Sequence, residues 1–338
     1  MSCYGHAAII SEGNPFMPRV LLTTSCPDWP IARQTPGGLG VWEDFEFIID
    51  QSDVACDAWV AFDNPPAPVT ATCVPDNMFF LSGEPPELRS YRSDFLRQFR
   101  WVVTCHDIRH RGLITAQQAH PWHVGVDWDR NFTANLDYDS LSDMTVPDKP
   151  YLISTVISDK AITPAHRQRL EFVRRLKQRL GGAFHVLGRG HQEIGDKWEA
   201  VAPYRFHLAM ENARRPHYMT EKISDAFLGC SFPFYFGDET AADYYPVGAY
   251  EPIDIFRADE EIDRICKCMD EQLDIVRRTQ VAQARQAVLN ELNLFPTLAR
   301  LLRDRIVNGT AKTLRLFPKN QHFKLAMAGI TRPFLKSA

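Results

Sequence analysis

The sequence predicts an α/β protein of two domains, and three observations carry that prediction. At 338 residues the chain is about twice the roughly 150 residues typical of one domain. Short apolar runs alternate with stretches of helical spacing, as in a parallel sheet covered on both faces. A polar stretch rich in Asp and Asn, residues 127–150, interrupts that alternation, which then restarts, as expected of a connector between domains. The chain is therefore divided at Lys149, into an N-terminal domain over 1–149, a C-terminal domain over 150–308 and a basic tail over 309–338.

Each element follows from local pattern. Residues 19–24, RVLLTT, form a short apolar strand, followed by the glycine-rich QTPGGLG of 34–40 and a helix over WEDFEFIID, 42–50. AWVAFD at 58–63 and NMFFLSG at 77–83 are further buried strands, the latter running into Glu84 and two prolines. RSDFLRQF reads as helical, and WVVTC at 101–105 as the next strand. After the connector, YLISTVIS is a strand, and Pro164 to Leu180 is a basic amphipathic helix with Leu170, Val173, Leu176 and Leu180 on one face. AFHVLG at 183–188, FHLAME, a helix opening near Thr220, and SFPFYFG continue the alternation. From Glu260 to about Ile306 the spacing is helical, interrupted by Pro296.

Composition narrows the class. Hydrophobic residues at 45% and charged residues at 24% supply two cores and exclude a largely disordered chain. Lys and Arg number 38 against 42 Asp and Glu, a formal charge of -4, so no global basic excess drives nucleic-acid binding and any anion site is local. The longest nearly apolar stretch, 226–237, is broken by Ser231 and Pro233 and falls short of the roughly 18 residues that span a bilayer. The N-terminus MSCYGHAAIISEGNPF lacks a secretory pattern, and eight scattered cysteines form no C-x-x-C pair. A cytoplasmic address with reduced thiols is the expectation. The tail carries Lys312, Arg315, Lys319, Lys324, Arg332 and Lys336 and no acid. It either packs back on the first domain or lies, with its interleaved Leu and Phe, on anionic lipid at the inner face of the membrane.

The informative stretch is YRFHLAMENARRPHYMTEKISDAFLGCSFPFYFG, residues 204–237. It reads as a strand ending in Glu211-Asn212, a loop with two arginines, then Thr220-Glu221-Lys222 opening a helix. Free N–H donors and the positive dipole end of a helix N-terminus suit an anion. Lys222 adds a full charge, and Asn212 and Tyr218 bond hydroxyls. Those are the needs of a nucleotide sugar. The same residues also admit a plain structural reading, with Thr220 as an ordinary N-cap and Glu221 as first-turn dipole compensation.

The pattern M-E-N, then Tyr218, then T-E-K, together with VLGRG at 186–190, LSGEPPE around Glu84 and LISTVIS after the connector, resembles the α-1,3/4-fucosyltransferases, family ten of the glycosyltransferases. The resemblance covers the chain from about Asn77 to Phe256. It implies a GT-B fold: two Rossmann-like domains facing across a cleft, with the acceptor on the N-terminal one and GDP-fucose on the C-terminal one. By the same resemblance Arg189 and Lys222 match the cations of the donor diphosphate, and Asn212, Tyr218 and Glu221 line the nucleotide and fucose. Glu211 matches the acid before that Asn, in direct contact or as a carboxylate that orients the helix. The absence of an N-terminal anchor and of a luminal cysteine pattern is read as favouring a soluble or peripheral, microbial-type enzyme.

Granting that donor, chemistry assigns the roles. Breaking the bond between the anomeric carbon and the phosphate puts negative charge on departing GDP, which Arg189 and Lys222 stabilise more in the transition state than in the ground state. The acceptor hydroxyl needs a carboxylate to take its proton. Glu84 lies past a buried strand, at the edge where ligands of α/β sheets collect, and matches the family's base. Its alternative is a solvated turn glutamate. The expected reaction is inverting transfer to O3 or O4 of a GlcNAc- or Glc-containing oligosaccharide or glycolipid precursor. Another GDP-sugar donor, or a non-catalytic sugar-binding protein using the same cleft, are the alternatives.

Other signals are discounted. Asp127-Trp128-Asp129 and Asp137-Tyr138-Asp139 are D-x-D strings in the connector, and with two cations already at the diphosphate no metal site and no cofactor is expected. His106 and His110 have the spacing of helical zinc ligands, but no motif completes them. HPWH, residues 120–123, is assigned weakly to the acceptor through Trp122 and His123, against a packed Trp beside surface histidines. QTPGGLG as a phosphate loop is a lone glycine turn.

Overall fold

The computed structural model describes residues 17–119, 121–161 and 164–320. The first unit holds a seven-stranded sheet, in the order Val41–Trp42, Phe45–Ile49, Arg19–Thr24, Ala58–Phe62, Met78–Leu81, Trp101–Thr104 and Leu113–Thr115. Every pairing is parallel except that of Val41–Trp42 with Phe45–Ile49. Side chains of one strand alternate between two cores: Val20, Leu22, Val60, Phe79 and Leu81 pack on one face, and Leu21, Trp59, Ala61, Phe80 and Val102 on the other. This period of two, with both faces buried, is why these runs read as continuously apolar.

The helix expected over residues 42–50 is instead a strand. Trp42, Phe45 and Ile49 stand at spacings a helix tolerates, but Phe45 and Phe47 enter one core and Ile48 the other, as only an extended chain allows. Glu43, at φ 51°, turns the chain between Val41–Trp42 and Phe45–Ile49, and Ile48 sits in register with Leu21. The free edge of the sheet, which local pattern does not report, decided the outcome.

The second unit is a five-stranded, wholly parallel sheet in the order Phe184–Leu187, Tyr151–Val156, Tyr204–Met210, Phe232–Phe236, Glu251–Pro252. Helix Pro164–Leu180 buries Phe172, Val173 and Leu176 against it. The late helical region breaks not at Pro296 but at Asn293, whose side chain accepts from the Phe295 N–H and caps helix Leu294–Arg303. Pro296 falls in that helix's first turn, where its missing N–H leaves no bond unmade.

The two units share their covering elements. Trp122, Val124 and Leu141 already belong to the second core, while Ala119 and Val126 belong to the first. Val288, Leu289 and Leu292 lie in the second core, and Leu294, Phe295, Leu298 and Leu302 cross back to cover the first sheet. Strand Lys312–Leu316 then pairs antiparallel with Val69–Cys73 of the first unit, burying Leu316 beside Ala71 and Cys73. Of the basic tail, that segment packs on the first unit; Lys324, Arg332 and Lys336 lie outside the described residues.

Candidate active site

The carboxyl ends of the two parallel sheets face each other, and the residues that follow them build one cleft. Glu87, beyond strand Met78–Leu81, pairs with Arg215 at 3.1 Å. Gln118 donates to the His217 carbonyl at 2.9 Å, and Cys105 packs with Ala213 and Tyr218. In open α/β sheets this edge is where loops are free to bind ligands.

On the C-terminal side, the turn after Phe184–Leu187 is shaped by glycine. Gly188 has φ +112°, and a Cβ there would lie 2.5 Å from the Ile157 carbonyl oxygen, so no other residue fits without displacing backbone. This turn sets Arg189 at the lip of a cavity of about 200 Å³, lined also by Arg169, Lys197, Asn212, Lys222 and Asp225. Arg189 and Lys222, far apart in sequence, therefore meet at one anion-sized space.

The signature acid has a different task from its neighbours. Glu211 is fully buried. It accepts from the Thr220 N–H at 2.8 Å and the Thr220 hydroxyl at 2.7 Å, and Lys222 Nζ stands 3.2 Å from its Oε2. Thr220 occupies the N-cap position of helix Glu221–Leu228 but makes no side-chain cap bond, because its hydroxyl is committed to Glu211. Glu211 thus fixes the entry of that helix and the direction of Lys222. It presents no surface to the cavity. Burial acts to discharge Lys222, but Glu211 and then Glu221 outweigh it and hold the ammonium above its ordinary value, so it stays charged.

Glu221 is more than dipole compensation. Its Oε1 is 2.8 Å from Lys197 Nζ, 3.3 Å from Lys222 Nζ and 3.9 Å from His123 Nδ1. Desolvation works against its charge, yet Lys197, Lys222 and His123 prevail and keep the carboxyl well below the usual range. Asn212 accepts from Arg169 at 2.8 Å, and Arg169 also donates to the Met210 carbonyl at 3.1 Å. Tyr218 is buried beside them, its hydroxyl held protonated by burial and then by Glu211.

Arg169 and Lys197 were not read from the sequence. Arg169 had a signal: it stands in line with Phe172, Val173 and Leu176 on the buried face of helix Pro164–Leu180, where a cation has no place unless a polar partner waits behind it. Lys197 sits in a loop without periodicity and had none.

Glu84 faces this cluster from the first unit. It is partly buried; desolvation raises its carboxyl above the ordinary value, opposed first by the charge of Lys222, with Glu221 adding to the rise. Its backbone is anchored, since His106 Nε2 lies 2.8 Å from the Glu84 carbonyl oxygen. Behind it, Asp63 accepts from Tyr91 at 2.6 Å and pairs with Arg89, and a Cβ on Gly83 would lie 3.0 Å from the Asp63 side chain.

Of the acceptor residues, Trp122 is corrected. It is fully buried in the second core with the Arg33 guanidinium 4.0 Å from its ring centroid, so it has no face to offer a sugar. Its neighbour His123 does reach the site, with Nδ1 3.3 Å from Lys197 Nζ; His120 lies outside the described residues. The D-x-D carboxylates serve the backbone: Asp127 accepts from the N–H groups of 129 and 130, Asp137 caps helix Tyr138–Asp143, and Asp139 accepts from Gly37 at 2.8 Å. That last bond engages the QTPGGLG turn with a carboxylate. Residues 105–112 are not helical, so His106 and His110 do not share a helix face. Among the described residues no three His, Cys, Asp or Glu converge as a metal site.

Two Rossmann-like units meeting at the carboxyl ends of their sheets, with a cation-lined cavity on the second, make up a GT-B fold. Residues 146–278 match the C-terminal model of glycosyltransferase family 10 (fucosyltransferase). The chain is similar to the alpha-(1,3)-fucosyltransferase FucT of Helicobacter pylori, 36% identical over 73 residues, 21% of this chain and 15% of that protein. It is also similar to 4-galactosyl-N-acetylglucosaminide 3-alpha-L-fucosyltransferase 9 of Mus musculus, 25% identical over 162 residues, 45% of this chain and 44% of that protein. The matched stretch thus spans less than half of either relative. Across the whole fold it resembles a crystal structure of alpha1,3-fucosyltransferase, with a TM-score of 0.51 and 16% identity over 90% of this chain and 93% of that one.

Proposed function

We propose that this protein transfers L-fucose from GDP-fucose to O3 or O4 of a GlcNAc- or Glc-containing glycan, with inversion. The observation that carries the reading is that Arg189 and Lys222 line one cavity while Glu84 stands within electrostatic reach of Lys222 from the opposite unit. The family match supports the donor. In one displacement the acceptor oxygen bonds to the anomeric carbon as the bond from that carbon to the phosphate oxygen breaks. The acceptor proton goes to Glu84, and the electron pair leaves on GDP, whose charge Arg189 and Lys222 receive. Attack opposite the leaving group turns a β-linked donor into an α-linked product. Asn212, Tyr218 and Glu221 line the nucleotide and fucose, with Glu211 orienting them from behind.

The test is GDP release from GDP-fucose with N-acetyllactosamine as acceptor, against a panel of other GDP-sugars. Turnover with GDP-mannose alone removes fucose from the reading; tight GDP-fucose binding without turnover favours a binding protein. Peripheral contact of the 309–338 tail with an anionic membrane on the cytoplasmic side is a further part of the proposal, tested by flotation with phosphatidylserine vesicles.

A further inference from the structure

With Trp122 buried, four other rings gather at the edge of the charged cluster, where His123 meets Lys197 and Glu221. His123, in contact with Lys197 and Glu221, has its ring centroid 5.0 Å from Trp29 and 5.5 Å from Trp128. Trp29 and Trp128 are 4.7 Å apart, and Phe132 closes the cluster at 5.5 Å from Trp128. Trp29 is buried beneath, whereas Trp128 is 41% exposed.

The backbone that displays these rings is strained and braced. Asn131 and Phe132 have φ 50° and 58°, and the Thr133 N–H returns to the Arg130 carbonyl at 3.1 Å, a tight turn whose third residue is ordinarily glycine. A bulky phenylalanine held there is an outlier that the surroundings must enforce. They do: Asp127 accepts from the N–H groups of Asp129 and Arg130, and the Trp128 N–H donates to the Gly195 carbonyl of the second unit at 2.9 Å. A rigid aromatic surface loses little conformational freedom on binding.

Resting on the reading of the donor site above, we propose that Trp128, backed by Trp29 and flanked by Phe132 and His123, is the acceptor subsite. It takes the C–H face of a pyranose ring in a neutral oligosaccharide. Such a face carries partial positive charge and meets the negative face of the indole, while Asp129 and Arg130, next in sequence and both exposed, offer polar groups for ring hydroxyls. His123 places this platform one ring away from Glu221 and Lys197.

The experiment compares wild type with Trp128→Ala and Trp128→Phe, using N-acetyllactosamine as probe. Titration with the disaccharide should change tryptophan fluorescence in wild type and not in Trp128→Ala. In turnover the Ala variant should raise acceptor KM by roughly tenfold, with kcat and GDP affinity unchanged and the Phe variant recovering most of the loss. An unchanged acceptor KM, or a loss of GDP affinity in parallel with it, overturns the subsite. Fluorescence binding does not require turnover, so failure of GDP-fucose as donor remains distinguishable from failure of this platform. An unaltered fluorescence in wild type at saturating disaccharide also overturns it.

Discussion

Lys197 Nζ lies 2.8 Å from Glu221 Oε1 and 3.6 Å from Asp225 Oδ2, so one loop ammonium joins two acids on successive turns of helix Glu221–Leu228. All three side chains are mostly buried, and removing one partner leaves uncompensated charge. Lys197→Met should destabilise the fold by about 3 kcal/mol, and the double variant with Glu221→Gln by less than the sum of the two. Urea denaturation of the four proteins measures the coupling; additive losses would show that the contact carries no energy.

The base should announce itself in pH. Burial raises the Glu84 carboxyl, and a general base works only when ionised. The acid limb of kcat/KM should therefore fall at a pH above that of an ordinary glutamate and vanish with Glu84→Gln, which should lower kcat by about 10²-fold or more. An enzyme that keeps its rate and its acid limb in the Gln variant has its base elsewhere.

Arg189 offers a test free of folding effects, because it is exposed at the cavity lip. Arg189→Ala should weaken GDP by roughly 10- to 100-fold, with the melting temperature unchanged and a shallower dependence of affinity on salt. Calorimetric titration with GDP at two ionic strengths reads both quantities. Lys222→Gln, in contrast, should lose stability as well as GDP affinity, since it strips the cation from buried Glu211.

Gly188→Ala should cost about 1–3 kcal/mol and lower GDP affinity with it, as the new Cβ meets the Ile157 carbonyl in a left-handed backbone. A variant with wild-type melting and wild-type GDP affinity would show that this turn yields without disturbing Arg189.

Asp225 supplies a stability test with a defined sign. Burial raises its carboxyl from 3.8 to about 6, with Lys197 opposing the rise. The folded state then holds a proton the unfolded chain has released. Its contribution should fall by a few kcal/mol as pH rises from about 4 to 6 and stay level above. Asp225→Asn, which keeps an oxygen for the His123 and Val124 N–H groups, should flatten that slope in melting curves across the range.

The buried parallel strands, the helix Pro164–Leu180 and the M-E-N to T-E-K signature were legible because each is a local pattern: apolar runs, a 3.6-residue stripe, a fixed spacing. Phe45–Ile49 was not, because its spacing suits both states and only a vacant edge beside Arg19–Thr24 chooses between them. In the site, local pattern singled out Lys222 and the family resemblance added Arg189 and the role of Glu84, but neither pointed to Lys197, whose contacts exist only once residues 197 and 221 are brought together. Trp122 and Trp128 stand close in sequence, and nothing local says that the first is buried in a core while the second rides exposed on a hairpin.

The polypeptide passes from the first unit to the second between residues 119 and 141, touching both cores on the way, and returns around 288–294, so the second unit is tethered at two places. A body fixed at two points swings about the line that joins them and about no other. Were the units to open, a swing about that line is the motion that extends neither stretch of chain, and it would part Glu84 and Lys222 and return them along one path.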